Sequence, residues 1–173
     1  IDEDYDGIGQ WPESRCFSMQ SDPSEDMVRI TYAVKGFYTQ EMEQVLKVGS
    51  EVWLKLPFGE LFTQPHNKTN TVFIAGGTGV TPYLSLFKHE SFREYVNPKI
   101  YLGYKNASYY IYEKELSFIC NDNATITTFF EDKDGVIDIL KIHEQTGNES
   151  NYFISGPPVM IKIFKNKLIE LGV

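Results

Sequence analysis

Thr71-Val72-Phe73-Ile74-Ala75-Gly76-Gly77-Thr78-Gly79-Val80-Thr81-Pro82 decides the fold of this chain. Residues 71–75 form a short apolar run of the kind buried on both faces of a sheet, which predicts a strand. Three glycines follow and let the backbone turn tightly and approach a ligand with no Cβ in the way. Thr81 suits an N-cap and Pro82 the first helical position, so a helix is expected to start there. A strand, a glycine loop and a helix N-terminus make an anion site, because free N–H groups and the positive helix end face the guest. The expected guest is a pyrophosphate. A glycine loop alone can also be a plain strand-to-helix turn, so the rest of the chain has to be read with it.

After residue 70, strands are expected at 71–75, 99–104, 125–130 and 151–155. Helices are expected at 82–90, 112–119, 136–144 and 158–171. This alternation predicts a parallel sheet with crossover helices. The last helix carries Met160, Ile161, Phe164, Leu168 and Leu171 on one face, and Gly172 suits its C-terminal cap. Before residue 63 the chain reads differently. Met27–Val34 and Glu51–Leu56 roughly alternate like strands, Gln40–Leu46 suits a short helix, and the polar stretch Thr63–Asn70 reads as a linker.

The chain has 173 residues and a net charge of −8, with 42% hydrophobic and 14% aromatic content. That suits one large domain or two small ones and is neither disordered nor fibrous. Residues 1–69 hold 12 acidic and 6 basic side chains, residues 70–173 hold 12 and 10, and the run Asp2-Glu3-Asp4-Tyr5-Asp6 reads as a solvated loop. An acidic chain without a basic stripe argues against nucleic acid. No run approaches the ~20 apolar residues of a membrane span. Cys16 and Cys120, and His66, His89 and His143, lack iron–sulfur or zinc spacing, so no metal is expected. Both cysteines read as structural, in a reduced, cytoplasmic setting. The four Asn-x-Ser/Thr matches read as chance.

Two further segments carry chemistry. In Ser14-Arg15-Cys16-Phe17-Ser18-Met19, Arg15 can fork two hydrogen bonds to a phosphate, Phe17 can lie against a planar ring, and Ser18 can bond its edge. In Tyr152-Phe153-Ile154-Ser155-Gly156-Pro157-Pro158-Val159-Met160, a strand ends in a small hydroxyl residue and glycine, and prolines open a helix. In an open parallel sheet both loops lie at the carboxyl ends of strands, where ligands bind.

In this order the segments resemble the ferredoxin-NADP reductase superfamily of flavoenzymes. The family's Arg-x-Tyr/Phe-Ser/Thr motif is similar to Arg15-Cys16-Phe17-Ser18, and its Gly-x-x-Ser/Thr segment to Gly36-Phe37-Tyr38-Thr39. Its barrel-closing turn is similar to Pro57-Phe58-Gly59-Glu60-Leu61-Phe62, and its Gly-Gly-x-Gly-x-Thr-Pro loop to Gly76–Pro82. The segments Tyr101–Asn106 and Tyr112–Leu116 resemble its second strand and helix. Its Cys-Gly-Pro-Pro-x-Met segment is matched except at Ser155.

The resemblance implies a flavin-binding antiparallel barrel, partial here, over residues 1–64 and a Rossmann-like NAD(P)-binding α/β domain over 70–173. It implies FAD, less readily FMN, together with NADH or NADPH. Hydride would pass to the flavin, and electrons onward to an acceptor protein or small molecule. Arg15, Phe17, Ser18 and Gly36, Phe37, Tyr38 and Thr39 would hold the flavin. Gly76, Gly77, Thr78, Gly79, Thr81, Gly103, Glu131, Ser155, Gly156, Pro157 and Met160 would serve the nicotinamide cofactor. Ser18 and Ser155 would stand nearest the hydride path.

Three departures stand out. Ser155 replaces the usual Cys, Tyr109 a commonly acidic residue, and the ends suggest a fragment, since about three barrel strands and a final sheet strand are not accounted for. Glu131-Asp132-Lys133-Asp134 favours a ribose 2′-OH over a 2′-phosphate and so NADH, against an alternative of a plain exposed turn. Two competing readings remain open: a non-catalytic flavin- or nucleotide-binding subunit of a larger redox complex, and a dehydrogenase using NAD alone.

Overall fold

The computed structural model describes residues 7–56 and 58–173, so the acidic run at residues 2–6 and Pro57 fall outside it. Four strands form one sheet: β1 (Thr71–Gly76), β2 (Lys99–Tyr104), β3 (Thr125–Phe130) and β4 (Asn151–Ser155). Their order is β3-β2-β1-β4 and every neighbouring pair is parallel. The described helices are α1 (Phe37–Val45), α2 (Thr81–Lys88), α3 (Glu113–Leu116), α4 (Glu131–Asp134), α5 (Ile139–Thr146) and α6 (Pro158–Glu170), with short 3₁₀ turns between them. All four strands lie within one residue of the sequence expectation.

The alternation of side chains in β1 explains the layers. Phe73 and Ala75 point into one core with Ile100 and Leu102 of β2, beneath Tyr83, Leu84 and Phe87 of α2. Val72 and Ile74 point into the other, beneath Ile139 and Ile142 of α5 and Phe164 and Leu168 of α6. The chain steps from β1 to β2 to β3 with its helices on the first face. It then reverses to β4 with helices on the second, as a constant crossover hand requires. The sheet is therefore covered on both faces, in the Rossmann-like manner expected.

Phe73 is the centre of the first core. Its ring lies 5.2 Å from Phe153, stacked, and 5.3–5.8 Å from Tyr83, Phe87, Phe92 and Tyr95. Phe62 joins this cluster against Tyr83 and Phe153, and His66 meets Phe153 edge-on at 4.9 Å, so the linker is pinned to the α/β layer. The C-terminus of α6 closes as the sequence predicts. Gly172 adopts φ +84°, its N–H donates to Ile169 O, and the Val173 N–H reaches back to Leu168 O, the Schellman arrangement.

Three local expectations are corrected. The segments at 27–34 and 51–56 are extended but form no ladder. Among the described residues before Thr71 the one β-pairing is an isolated antiparallel bridge, Met19 to Ile30. A period-2 pattern makes a strand only when another strand supplies its hydrogen bonds, and here Met27, Val28, Val34, Val52, Leu54 and Leu56 stay exposed. Second, the helix after the glycine loop starts one residue early. Val80 is already helical at φ −70°, ψ −21°, so Thr81 is the first residue and Pro82 the second. A 3₁₀ turn over Gly77–Val80 leads into it. The Thr81 hydroxyl therefore donates back to Thr78 O at 2.9 Å instead of capping. The short helix expected at 40–46 begins earlier, at Phe37.

Replacing Phe73 by Ala should cost about 3–5 kcal/mol, the range for emptying a fully buried aromatic site. Urea unfolding of the two proteins measures it, and an unchanged midpoint would remove Phe73 from the centre of the core.

Candidate functional site

β1 and β4 are neighbours in the sheet, and the helices that follow them, α2 and α6, pack on opposite faces, so their carboxyl ends mark the crevice position at which open α/β sheets hold ligands. Two loops meet there: Gly76–Gly79 after β1 and Ser155–Pro157 after β4. The strand register sets them level, with Ala75 opposite Ser155. Gly76 is in turn opposite Gly103 of β2.

The glycines in this crevice do different work. A Cβ on Gly79 would lie 2.5 Å from Ser155 O and 2.6 Å from Gly156 Cα, so the two loops touch backbone to backbone. Gly156, at φ +147°, closes the contact from the other side, since a Cβ there would meet Gly76 N at 3.0 Å. Gly77, at φ +55°, faces open space, with no atom within 4 Å of where a Cβ would stand. The open position of the loop is thus Gly77 with the exposed Thr78 beside it, while Gly79 joins the loops. The first N–H groups of the 3₁₀ turn have no partner within the turn, which leaves them to an outside acceptor.

Thr81 is buried and ties the loop together through its bond to Thr78 O. Gly103 lies level with Gly76 on β2, and the space its Cβ would take is held by Ile137 Cδ1 at 2.9 Å. Pro157 precedes α6 and Pro158 is its first residue, where a missing N–H costs nothing. Met160 lies under the loops, its Sδ 3.0 Å from the Gly76 Cβ position. Glu131 is exposed at the start of α4, one residue beyond β3. Its turn is fastened by the Phe130 N–H donating to Asp134 Oδ2 at 2.9 Å.

The earlier segments also converge. The Arg15 guanidinium lies 4.8 Å from the centroid of the Tyr38 ring, which brings Arg15–Ser18 and Gly36–Thr39 together. Phe17 packs on Tyr32 at 5.7 Å. The Thr39 hydroxyl accepts from the N–H groups of Lys35 and Gly36 and fixes the entry to α1. Ser18, Gly36 and Phe37 are exposed. Sequence reasoning missed Glu13, whose carboxylate accepts from Arg15 Nη2 at 2.5 Å. The spacing of opposite charges two residues apart was the available signal. Cys16 is exposed, and Cys120 donates its S–H to Lys88 O at 2.7 Å.

A polar seam joins the two regions. Gln20, buried, donates from Nε2 to Glu115 Oε1 at 3.2 Å and accepts from the Thr31 hydroxyl at 2.5 Å. Glu25 accepts from the Asp22 N–H, pairs with Arg29, and stands 4.0 Å from Lys88 Nζ of α2. The bond from Asp22 N and the Arg29 guanidinium hold the Glu25 carboxyl below its ordinary range. For Asp22, burial pushes upward, but the Ser24 hydroxyl and N–H with the nearby His89 and Lys88 outweigh it and the carboxyl also ends below its usual value. In the core of the same face, burial raises the Tyr95 hydroxyl to about 12.

A parallel sheet whose order reverses between β1 and β4, with glycine loops at their carboxyl ends, has the doubly wound α/β architecture of nucleotide-binding domains. Residues 73–166 match the oxidoreductase NAD-binding domain family. The chain belongs to that family, within the ferredoxin-NADP reductase-like superfamily of FAD/NAD-binding oxidoreductases. It is 27% identical to flavohemoprotein A of Dictyostelium discoideum, over 91% of this chain and 44% of that protein. It is 25% identical to the reductase component of propane 2-monooxygenase of Mycolicibacterium smegmatis, over 86% of this chain and 48% of that one. The chain thus spans less than half the length of these curated relatives. Among solved structures, flavohemoglobin from Malassezia yamatoensis with bound FAD and heme superposes with a TM-score of 0.69 at 20% identity, over 91% of this chain and 43% of that one. The H286L mutant of ferredoxin-NADP+ reductase from Plasmodium falciparum gives 0.61 at 19%, over 90% and 70%. These two likenesses support the fold. Among the described residues no helix is long and apolar enough to cross a membrane.

Because the Asp22 and Glu25 carboxyls titrate below their unfolded values, their contribution is complete above the ordinary carboxylate range, ~4, and lost as pH falls through the folded values. The thermal midpoint should therefore drop on acidification below that range, and less steeply in Glu25→Gln. Parallel curves for the two proteins would show that Glu25 carries none of it.

Proposed function

We propose that this chain is an NAD(P)H-dependent flavoprotein reductase, taking hydride from the nicotinamide onto FAD and passing electrons to a separate acceptor. The observation that carries the reading is the loop junction at the carboxyl ends of β1 and β4, where Gly79 meets Ser155 and Gly156 while Gly77 faces open space. Residues 70–173 would form the nucleotide domain and residues 1–64 part of the flavin-binding barrel. The exposed, alternating segments at 27–34 and 51–56 fit barrel strands that pair with further polypeptide.

The residues present fit both cofactors. The N–H groups of Gly77, Thr78 and Gly79 would bind the pyrophosphate of the nicotinamide nucleotide, with the α2 N-terminus behind them. Ser155 and Gly156 would orient the nicotinamide, the Ser155 hydroxyl standing where a small polar group suffices. On the other side, Arg15 would bind a flavin phosphate, its guanidinium already held over Tyr38. Phe17 would pack on the ring system, Ser18 would bond its edge, and the N–H groups at the start of α1 would face the flavin pyrophosphate. FAD supplies the redox chemistry when bound, and the protein supplies binding, orientation and exclusion of water. Glu131 favours NADH, since a carboxylate accepts from a ribose 2′-OH and repels a 2′-phosphate. The likeness to a monooxygenase reductase component supports a protein acceptor.

Absorbance spectra of the purified chain with added FAD, before and after anaerobic NADH or NADPH, test the reading. A flavin band that bleaches, faster with NADH, is expected. A flavin band that neither nucleotide bleaches would replace the enzyme by a binding subunit. No flavin uptake would end the flavoprotein reading and leave the nucleotide fold. Glu131→Lys should shift kcat/KM toward NADPH by about fivefold, the scale of one exposed charge. An unchanged ratio would return Glu131 to a surface turn.

A further inference from the structure

We propose that Met160 is a positioning residue that sets the distance between the two cofactor loops, and so couples the pyrophosphate half of the dinucleotide to its nicotinamide half. The proposal rests on the nucleotide reading above. Met160 stands in the first turn of α6, four residues after Gly156. Its Sδ lies 3.0 Å and its Cε 3.3 Å from the position of a Gly76 Cβ, and its Cε lies 2.8 Å from that of a Gly156 Cβ. The other atom as near Gly76 is Pro157 Cδ at 3.0 Å. One thioether therefore touches both loops at the point where each loses its side chain. Its other side packs on the core of Val72, Ile74 and Phe164.

The geometry explains why no Cβ stands at three of the positions. Gly76 and Gly156 are spaced by Met160 from below, while Gly79 rests on Ser155 O and Gly156 from above. The loops are held between a side chain and a backbone contact, so their spacing is set on both sides. Methionine suits the place because its unbranched, polarisable chain fills an irregular gap between two backbones. Leucine has similar volume but branches, and alanine leaves the gap empty. With the gap empty, the Ser155 loop can settle toward β1, away from the spacing a whole dinucleotide needs. A fragment that touches only the Gly77–Gly79 loop would not sense that movement.

The test compares NADH with ADP-ribose, which lacks the nicotinamide, by titration calorimetry on the intact chain. Met160→Ala should raise the NADH Kd by about tenfold, on the scale of a sub-ångström misplacement, while the ADP-ribose Kd moves less than about twofold. Met160→Leu, which nearly conserves volume, should recover NADH affinity to within about threefold. A merely structural role would lower the thermal midpoint and weaken both ligands together, leaving their ratio unchanged, and that result would overturn the proposal. Wild-type protein that binds ADP-ribose but gains nothing from the nicotinamide would instead overturn the assignment of Ser155 and Gly156. Binding of neither ligand would overturn the nucleotide reading itself.

Discussion

The backbone of Gly79 rests directly against Ser155 and Gly156, and most of the domain can be understood as what makes that contact possible. Two loops can touch main chain to main chain only if their strands are adjacent, parallel and end level, as β1 and β4 do. Adjacent parallel strands far apart in sequence require crossovers that cover both faces of the sheet. That in turn demands a β1 with no polar face, and Val72, Phe73, Ile74 and Ala75 are all buried. The contact also excludes a side chain at the touching positions, which glycine meets at the entropic cost of a flexible backbone in the unfolded chain.

Rigidity at the loops has to come from what lies behind them. On one face the aromatic group around Phe73 reaches from α2 through β1 to Phe153 of β4, so the two strands bearing the loops share a single packed layer. On the other face Met160 and Phe164 of α6 pack with Val72 and Ile74. Well-packed interiors transmit small displacements instead of absorbing them. A change in either layer is therefore felt at the crevice.

How far the sequence foretold this depended on whether the signal was local. β1 was legible because five consecutive apolar residues before a glycine loop have few other uses. α6 was legible because its apolar face and Gly172 agree with one another. The start of α2 was misplaced by one residue because Thr81 and Pro82 suit several positions of a first turn, and the 3₁₀ turn over Gly77–Val80 settles which. The segments at 27–34 and 51–56 carry a correct period-2 pattern and still form no ladder, since pairing depends on a partner that no pattern within the segment specifies. The glycine loop was legible as a loop, but the division of labour within it was not. Gly77 and Gly79 read alike in sequence, and only the neighbouring loop distinguishes the open position from the packed one.

The first third of the chain is held to the rest by different forces. It adds Phe62 and His66 to the aromatic layer, and also meets the domain through polar contacts among Gln20, Glu115, Thr31, Glu25 and Lys88. Polar contacts of this kind contribute modestly to stability but fix geometry tightly, because each hydrogen bond is satisfied in one arrangement only. Apolar packing would tolerate sliding of Arg15 and Tyr38 relative to the crevice by a methylene or two. A buried amide bonded on both ends does not. The seam is thus suited to keep the Arg15–Tyr38 contact in one orientation to the sheet, while the sheet keeps the two loops at one spacing. The precision of the site depends on polar specificity between its halves and on close packing within one of them.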